Sequence, residues 1–171
     1  MPRDLFNRGI DLDLLYPPFL ERLLVAKARA RARGADMLCT FGYRSCEESD
    51  ELYAKFLKGG PRAAPGGKSS HNFGLASDEC LIVQASPKRI VRWGDHDFDI
   101  FAGEAGALGL HWGVAYKDKP HFSWPGFVSA AELEPLRKIW IAGDGLKTLP
   151  RLQRCWQYVD SHSPAMPEVT P

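Results

Sequence analysis

Helical and extended segments follow one another without a regular rhythm in this chain, which argues against repeated strand–helix–strand units and a parallel sheet. Predicted helices cover residues 17–33, 45–57, 98–108, 129–142 and 149–159. Predicted strands cover residues 37–41, 75–83, 110–112 and 121–124. The expected fold class is therefore α+β, with a small antiparallel sheet flanked by helices and additional helices at the C-terminal end.

Two of these helices begin at the same local signal. Ser45 is followed three residues later by Glu48, and Ser129 by Glu132, so each pair forms a capping box that satisfies backbone donors at a helix start. Residues 59–68 between them are rich in Gly and Pro, and they predict an exposed loop.

The length of 171 residues fits one domain with a full core. We expect a single domain over residues 1–160, with a motif core at 37–124 and a helical extension at 128–160. Residues 161–171 contain three prolines and few large apolar groups, so we expect a flexible tail there.

The charges of the chain nearly cancel, with 22 Lys and Arg against 21 Asp and Glu. A chain with so little net charge has no large electric field that would attract nucleic acid, and we expect that it does not bind nucleic acid. We also expect a monomer. Five basic residues between Arg22 and Arg33 predict either a solvated helix face or a patch that meets a polyanion. The sequence also lacks the apolar run of a secretory signal or a membrane span, so we expect synthesis in the cytoplasm.

The four cysteines are Cys39, Cys46, Cys80 and Cys155, and no two of them have the C-x-x-C spacing of zinc ribbons or thioredoxin-type sites. Disulfide-stabilised scaffolds of small size are much richer in cysteine. We therefore expect free thiols.

A different set of side chains has the composition of a metal site. His71 and Asp78 lie seven residues apart, and His121 follows 43 residues later, close to Asp118. Two imidazoles and one carboxylate leave a tetrahedral zinc with an open position, which is typical of catalytic sites. Ser69 is placed to support a ligand by a hydrogen bond. The alternative is an ordinary loop that enters a strand.

Four motifs in order make the pattern specific. They are Gly42-Tyr43-Arg44-Ser45, then Ser69-x-His71-x-x-Gly74-x-Ala76-x-Asp78, then Leu108-Gly109-Leu110-x-Trp112-Gly113, then Asp118-x-Pro120-His121-Phe122. Together they resemble the M15 family of zinc peptidases, and most of all its phage endolysin and L-alanyl-D-glutamate endopeptidase branch, over roughly half of the chain.

The resemblance implies one zinc ion held by His71, Asp78 and His121, with Asp118 as the general base and Arg44 binding or polarising the substrate carbonyl. Bacterial peptidoglycan would be the substrate, and the outcome would be cytolysis after release of the enzyme from the host cytoplasm to the cell wall. Ser69, Tyr43, Trp112 and His111 are further candidates for supporting the ligands or contacting substrate, although Tyr43 fits packing better.

Some positions depart from the family pattern. His111 stands where Glu is common and Val114 where a further Gly is common, while Glu79 and Cys80 replace apolar strand residues after Asp78. His111 is thus a bystander, a substrate contact or an extra ligand. Arg44 also has a second interpretation, an ion pair with Glu47, Glu48 or Asp50.

Three other functions use the same residues. A D-alanyl-D-alanine carboxypeptidase or dipeptidase would share the zinc site. A non-haem iron oxygenase also uses two histidines and one carboxylate. A domain that keeps its metal and only binds cell wall is the alternative without catalysis.

Overall fold

The computed structural model describes residues 5–7, 9–85, 88–92 and 97–169. Within these ranges the chain forms five α-helices and five β-strands. The helices are α1 (Pro17–Ala32), α2 (Cys46–Phe56), α3 (Asp97–Ala107), α4 (Ala130–Ala142) and α5 (Thr148–His162). The strands are β1 (Met37–Phe41), β2 (Ala76–Ala85), β3 (Lys88–Arg92), β4 (His111–Trp112) and β5 (His121–Ser123). Short 3-10 helices cover Leu12–Leu14, Ser70–Phe73 and Gly113–Tyr116.

The strands form one antiparallel sheet in the order β1-β2-β5-β4. The long strand β2 also pairs with β3, which the sequence did not predict, through its second half. The first half of β2 pairs with β5, so that Asp78 lies directly opposite His121. The α+β class is confirmed, and the sheet register already brings two candidate ligands together.

The core lies behind the strand that carries His121. The next residue, Phe122, is fully buried, because neighbouring side chains of a strand point to opposite faces. Its ring contacts those of Phe98, Phe101 and Trp112, with centroids 6.0, 4.7 and 6.2 Å away. An apolar layer therefore supports β5 from the side opposite to its polar face.

Two of the five basic residues between Arg22 and Arg33 are buried and not on the surface. Lys27 is buried and lies 2.5 Å from the Glu79 carboxylate, with both side chains 0% exposed. Arg22 is also buried and donates to the carbonyls of Leu108 and Pro167 at 2.9 and 2.8 Å. Lys27 and Arg22 therefore do not contribute to the solvated face or the polyanion patch predicted for this helix.

The C-terminal segment makes specific contacts beyond α5. The predicted tail boundary at residue 161 falls inside this helix, which extends to His162. After it, the Ser163 hydroxyl accepts a hydrogen bond from Trp124 Nε1 at 2.7 Å, and Met166 packs against the core. Among the described residues, no helix combines the length and apolar character needed to cross a membrane.

The four cysteines are free thiols, as expected. Cys39, Cys80 and Cys155 are buried, and Cys46 is half-buried at the start of α2. Burial raises the pKa of each thiol. All four are therefore protonated and packed as small apolar side chains near neutral pH.

Candidate metal centre

Three elements bring the predicted ligands to one point. His71 lies on the 3-10 helix Ser70–Phe73, Asp78 on β2 and His121 at the first position of β5. His71 Nε2 is 3.2 Å from Asp78 Oδ1 and 3.2 Å from His121 Nδ1, and these last two atoms are also 3.2 Å apart. The three side chains thus present one ligand atom each at the corners of an almost equilateral triangle.

The size of this triangle suits zinc. Zinc binds imidazole nitrogen and carboxylate oxygen at about 2.0–2.2 Å, and tetrahedral geometry then separates neighbouring ligand atoms by about 3.3–3.6 Å. The observed separations of 3.2 Å are close to that value. Three protein ligands leave the fourth tetrahedral position free for a water molecule or substrate.

A hydrogen bond behind the triangle makes one of its corner atoms, His71 Nε2, an acceptor. His71 Nδ1 lies 2.7 Å from the Gly42 carbonyl oxygen, which can only accept, so the proton of a neutral His71 is on Nδ1 and its Nε2 carries a lone pair. His121 Nε2 lies 3.4 Å from the Ser70 hydroxyl, which leaves His121 Nδ1 directed at the other two atoms. Two imidazole nitrogens and a carboxylate oxygen that converge on one point are a donor set that fits a metal ion.

The charge of Asp78 is part of this arrangement. Burial tends to raise the pKa of the Asp78 carboxyl, but the imidazoles of His71 and His121 outweigh burial and hold that pKa well below its usual range. The carboxylate is therefore ionised throughout the neutral pH range, which is the form that binds metal.

Arg44 lies beside the same carboxylate. Its guanidinium is 3.9 Å from Asp78 Oδ2, the oxygen that is not part of the triangle. Glu48 and Asp50, two of the partners considered from sequence, instead accept from backbone donors of Ser45 and Gly66. Arg44 therefore faces the candidate metal centre and not helix α2.

An exposed aromatic ring contacts this guanidinium. The pairing of β1 with β2 has a bulge between Cys39 and Phe41, and Phe41 lies opposite Asp78. Strict alternation would bury Phe41, yet its side chain is 57% exposed, because a bulge changes the direction of the residues that follow it. The Arg44 guanidinium carbon lies 5.5 Å from the centroid of this ring, within cation–π range.

Asp118 does not join the triangle. The cluster of carboxylate, imidazole and thiol groups found among the described residues contains His71, Asp78 and His121 only. Asp118 is exposed in the turn before β5, where its amide donates to Gly113 and its carbonyl accepts from His121. Asp118 lies three residues before the candidate ligand His121 in the sequence. The role of Asp118 as a general base stays a prediction.

The remaining predicted residues have the following contacts. Trp112 donates from Nε1 to the Lys119 carbonyl at 2.7 Å, which holds the turn that contains Asp118. His111 is half-buried on β4, where burial lowers the pKa of its imidazole, and it pairs with Ser123. Tyr43 packs against the core, and burial raises its pKa to about 12. Ser69 precedes the 3-10 helix, and its carbonyl accepts from Asn72.

Two polar residues, one on either side of His71, were not predicted from the sequence. Ser70 contacts His121 through its hydroxyl, as described above, and Asn72 is completely buried among backbone groups. The sequence did contain a signal for them. Four adjacent residues, Ser69 to Asn72, all have hydrogen-bonding side chains, and they lead into a buried strand. Polar side chains in such a place need partners.

A protein of known activity has extensive sequence similarity to this chain. Peptidoglycan L-alanyl-D-glutamate endopeptidase CwlK of Bacillus subtilis (strain 168) is 35% identical over 122 residues, which are 63% of this chain and 71% of that protein. No family profile matches the chain.

Two solved structures are similar at lower identity. Serratia marcescens L-Ala D-Glu endopeptidase ChiX has a TM-score of 0.46 and 20% identity, over 64% of this chain and 80% of that one. VanYB in complex with D-Alanine-D-Alanine has a TM-score of 0.48 and 17% identity, over 92% of this chain and 93% of that one.

Proposed function

Because the chain belongs to the M15 family of zinc peptidases, we propose that it hydrolyses the amide bond between L-Ala and D-Glu in the stem peptide of bacterial peptidoglycan. The observation that carries this proposal is the triangle of His71, Asp78 and His121, with Arg44 beside it. The choice of bond is supported by the similarity to CwlK, whose name states that activity.

In this proposal His71, Asp78 and His121 hold one zinc ion. Zinc bound there would act as a Lewis acid: it would polarise a carbonyl and lower the pKa of a bound water molecule to about 7. The Gly42 carbonyl keeps the proton of His71 on Nδ1, so that Nε2 remains a ligand atom.

The other residues act on substrate and protons. Asp118 accepts the proton of the attacking water and returns it to the leaving amine, which is general acid–base catalysis by one carboxylate. Arg44 donates from its guanidinium to the scissile carbonyl oxygen, where negative charge develops. Its position 3.9 Å from Asp78 supports this assignment, because it directs a cation towards the centre.

A digest of purified muropeptides tests both the bond and the base. We expect mass spectrometry to find products with a new N-terminal D-Glu, while Asp118→Asn lowers kcat by about 10²–10⁴-fold and keeps its zinc. Asp144→Asn is the matched control, since Asp144 is an exposed carboxylate after α4, and it should retain full activity. Release of D-Ala would overturn the choice of bond, and full activity of Asp118→Asn would overturn the base.

The contact between Phe41 and Arg44 makes a smaller prediction. A cation–π contact at an exposed site contributes about 0.5–1 kcal/mol, so Phe41→Leu should lower kcat/KM about 2–5-fold. In an Arg44→Ala background the same change should have no effect, because its partner is gone. Equal losses in both backgrounds would show that Phe41 does not act through Arg44.

We further propose a lytic role of the phage type, in which the enzyme is made in the host cytoplasm and reaches the wall after release. Support comes from the likeness of the four motifs to that branch of the family. Addition of the protein to outer-membrane-permeabilised bacteria should clear the suspension, and an absence of clearing by protein that does cleave muropeptides would contradict the role.

A further inference from the structure

Asn72, the residue after His71, has a side chain that is 0% exposed and surrounded by hydrogen-bond partners. Its Nδ2 lies 2.9 Å from the Arg44 carbonyl oxygen, 3.1 Å from that of Ser45 and 2.8 Å from the Ser49 hydroxyl. The amide group thus joins the 3-10 helix that carries a candidate ligand to the segment that carries Arg44 and to the first turns of α2.

The other half of the same amide holds a second segment. Asn72 Oδ1 accepts from the backbone amides of Gly67 and Ser69 at 3.0 and 3.3 Å. This is the end of the Gly- and Pro-rich loop that leads into the 3-10 helix. An uncharged amide offers two donors on one atom and an acceptor on the other, whereas a carboxylate lacks the donors and an aliphatic side chain lacks both.

Residues 42–45 contact two of the candidate ligands, His71 and Asp78. At one end, the Gly42 carbonyl accepts from His71 Nδ1 and thereby fixes the ring atom that faces the other ligands. At the other end, Arg44 lies against Asp78, and its backbone amide donates to the His71 carbonyl at 3.1 Å. Any shift of this segment therefore moves a support of His71 and the guanidinium together.

We propose that Asn72 is a positioning residue that locks residues 42–45 against His71, and so sets both the orientation of this ligand and the place of Arg44. The part of the inference that concerns turnover rests on the proposed function. The part that concerns metal affinity depends only on the triangle. All hydrogen bonds of the lock join groups of the protein, so none of them uses metal or substrate as a partner.

The zinc dissociation constant, measured by competition with a chromophoric chelator, tests the inference without any assay of activity. We expect Asn72→Ala to weaken zinc binding about 10–100-fold, as is typical when the group that supports a ligand is removed. The matched control is Ser49→Ala, which removes one acceptor of the same amide and leaves the links to the carbonyls of Arg44 and Ser45. It should bind zinc with unchanged affinity even if it lowers the unfolding temperature.

Kinetics at saturating zinc test the link to Arg44. Asn72→Ala should lower kcat/KM about tenfold in the native background and change it less than twofold in an Arg44→Ala background. A zinc affinity of Asn72→Ala within twofold of the native value, or an equal loss in Ser49→Ala, would overturn the inference. A native protein that cleaves no muropeptide would refute the proposed function and leave the zinc measurement decisive for Asn72.

If Asn72→Ala does not fold, the native protein still provides a test. The side-chain amide protons of Asn72 should exchange slowly with solvent in both the zinc-free and the zinc-loaded protein, because the lock does not need metal. Protection that develops only on addition of zinc would show that Asn72 follows the metal centre and does not position it.

Discussion

His121→Ala is expected to lose its zinc and to lower kcat/KM about 10³-fold or more. His121 supplies one of three ligand atoms and faces Asp78 across the β2–β5 pair, so no neighbouring side chain in the triangle replaces it. Loss of the ion removes Lewis-acid stabilisation that contributes several kcal/mol to the transition state, and each 1.36 kcal/mol corresponds to a factor of ten. Zinc content by mass spectrometry and initial rates on muropeptides measure the two effects.

The matched control is His162→Ala. His162 is exposed at the end of α5, where its ring stacks on Tyr158, and it is not part of the triangle. Full zinc content and activity are expected for this variant. An active, zinc-containing His121→Ala variant would mean that the triangle is not the metal centre.

Lys27→Met is expected to destabilise the fold by about 3–5 kcal/mol, the cost of removing one partner of a buried ion pair. Both side chains of the Lys27–Glu79 pair are 0% exposed, and Lys27 Nζ also donates to the carbonyls of Leu5 and Met37. Burial raises the pKa of the Glu79 carboxyl even though Lys27 opposes this shift. The ionised form of this carboxyl is therefore stabilised by the Lys27 ammonium group. Urea unfolding of zinc-free protein measures the loss.

The double variant Lys27→Met/Glu79→Leu separates the ion pair from the packing around it. Replacing both charges by apolar groups of similar volume is often neutral, so most of the lost stability should return. If the double variant is as unstable as Lys27→Met, the loss comes from the two carbonyls that Lys27 leaves behind and not from an unpaired carboxylate.

Elements with local signals were predictable from the sequence. The capping boxes at Ser45 and Ser129 are both present, and α2 and α4 begin at the following residues. The range 37–41 predicted for the first strand is that of β1. Such features depend on residues that are close in sequence, and their chemistry is the same in any fold.

Features that depend on distant partners were not predictable. Glu79 follows Asp78 in β2, where an apolar residue was expected, and its charge is paired with Lys27, which lies 52 residues earlier on α1. Lys27 was for the same reason assigned to a surface. Strand β3 depends on its pairing with β2, and the exposure of Phe41 depends on a bulge that only the sheet register reveals.

The candidate site also contains residues that were predictable from the sequence and contacts that were not. His71, Asp78 and His121 belong to motifs with fixed spacing, and the motifs identified them before any geometry was considered. Gly42 and Asn72 lie within the same motif segments, but their contacts could not be predicted there, because the Gly42 group is a backbone carbonyl and Asn72 bonds to residues 23 to 28 positions away. A sequence motif records the ligands, whereas their supports become visible only when the chain is folded.

X-ray absorption at the zinc edge, on protein loaded with one equivalent of zinc, tests the central claim most directly. We predict one tightly bound ion per chain with nitrogen and oxygen neighbours at about 2.0–2.2 Å and two imidazoles among them, and a spectrum that changes in His71→Ala. A sulfur neighbour at about 2.3 Å, or a spectrum unaffected by loss of His71, would contradict the claim that these two histidines and Asp78 hold the metal.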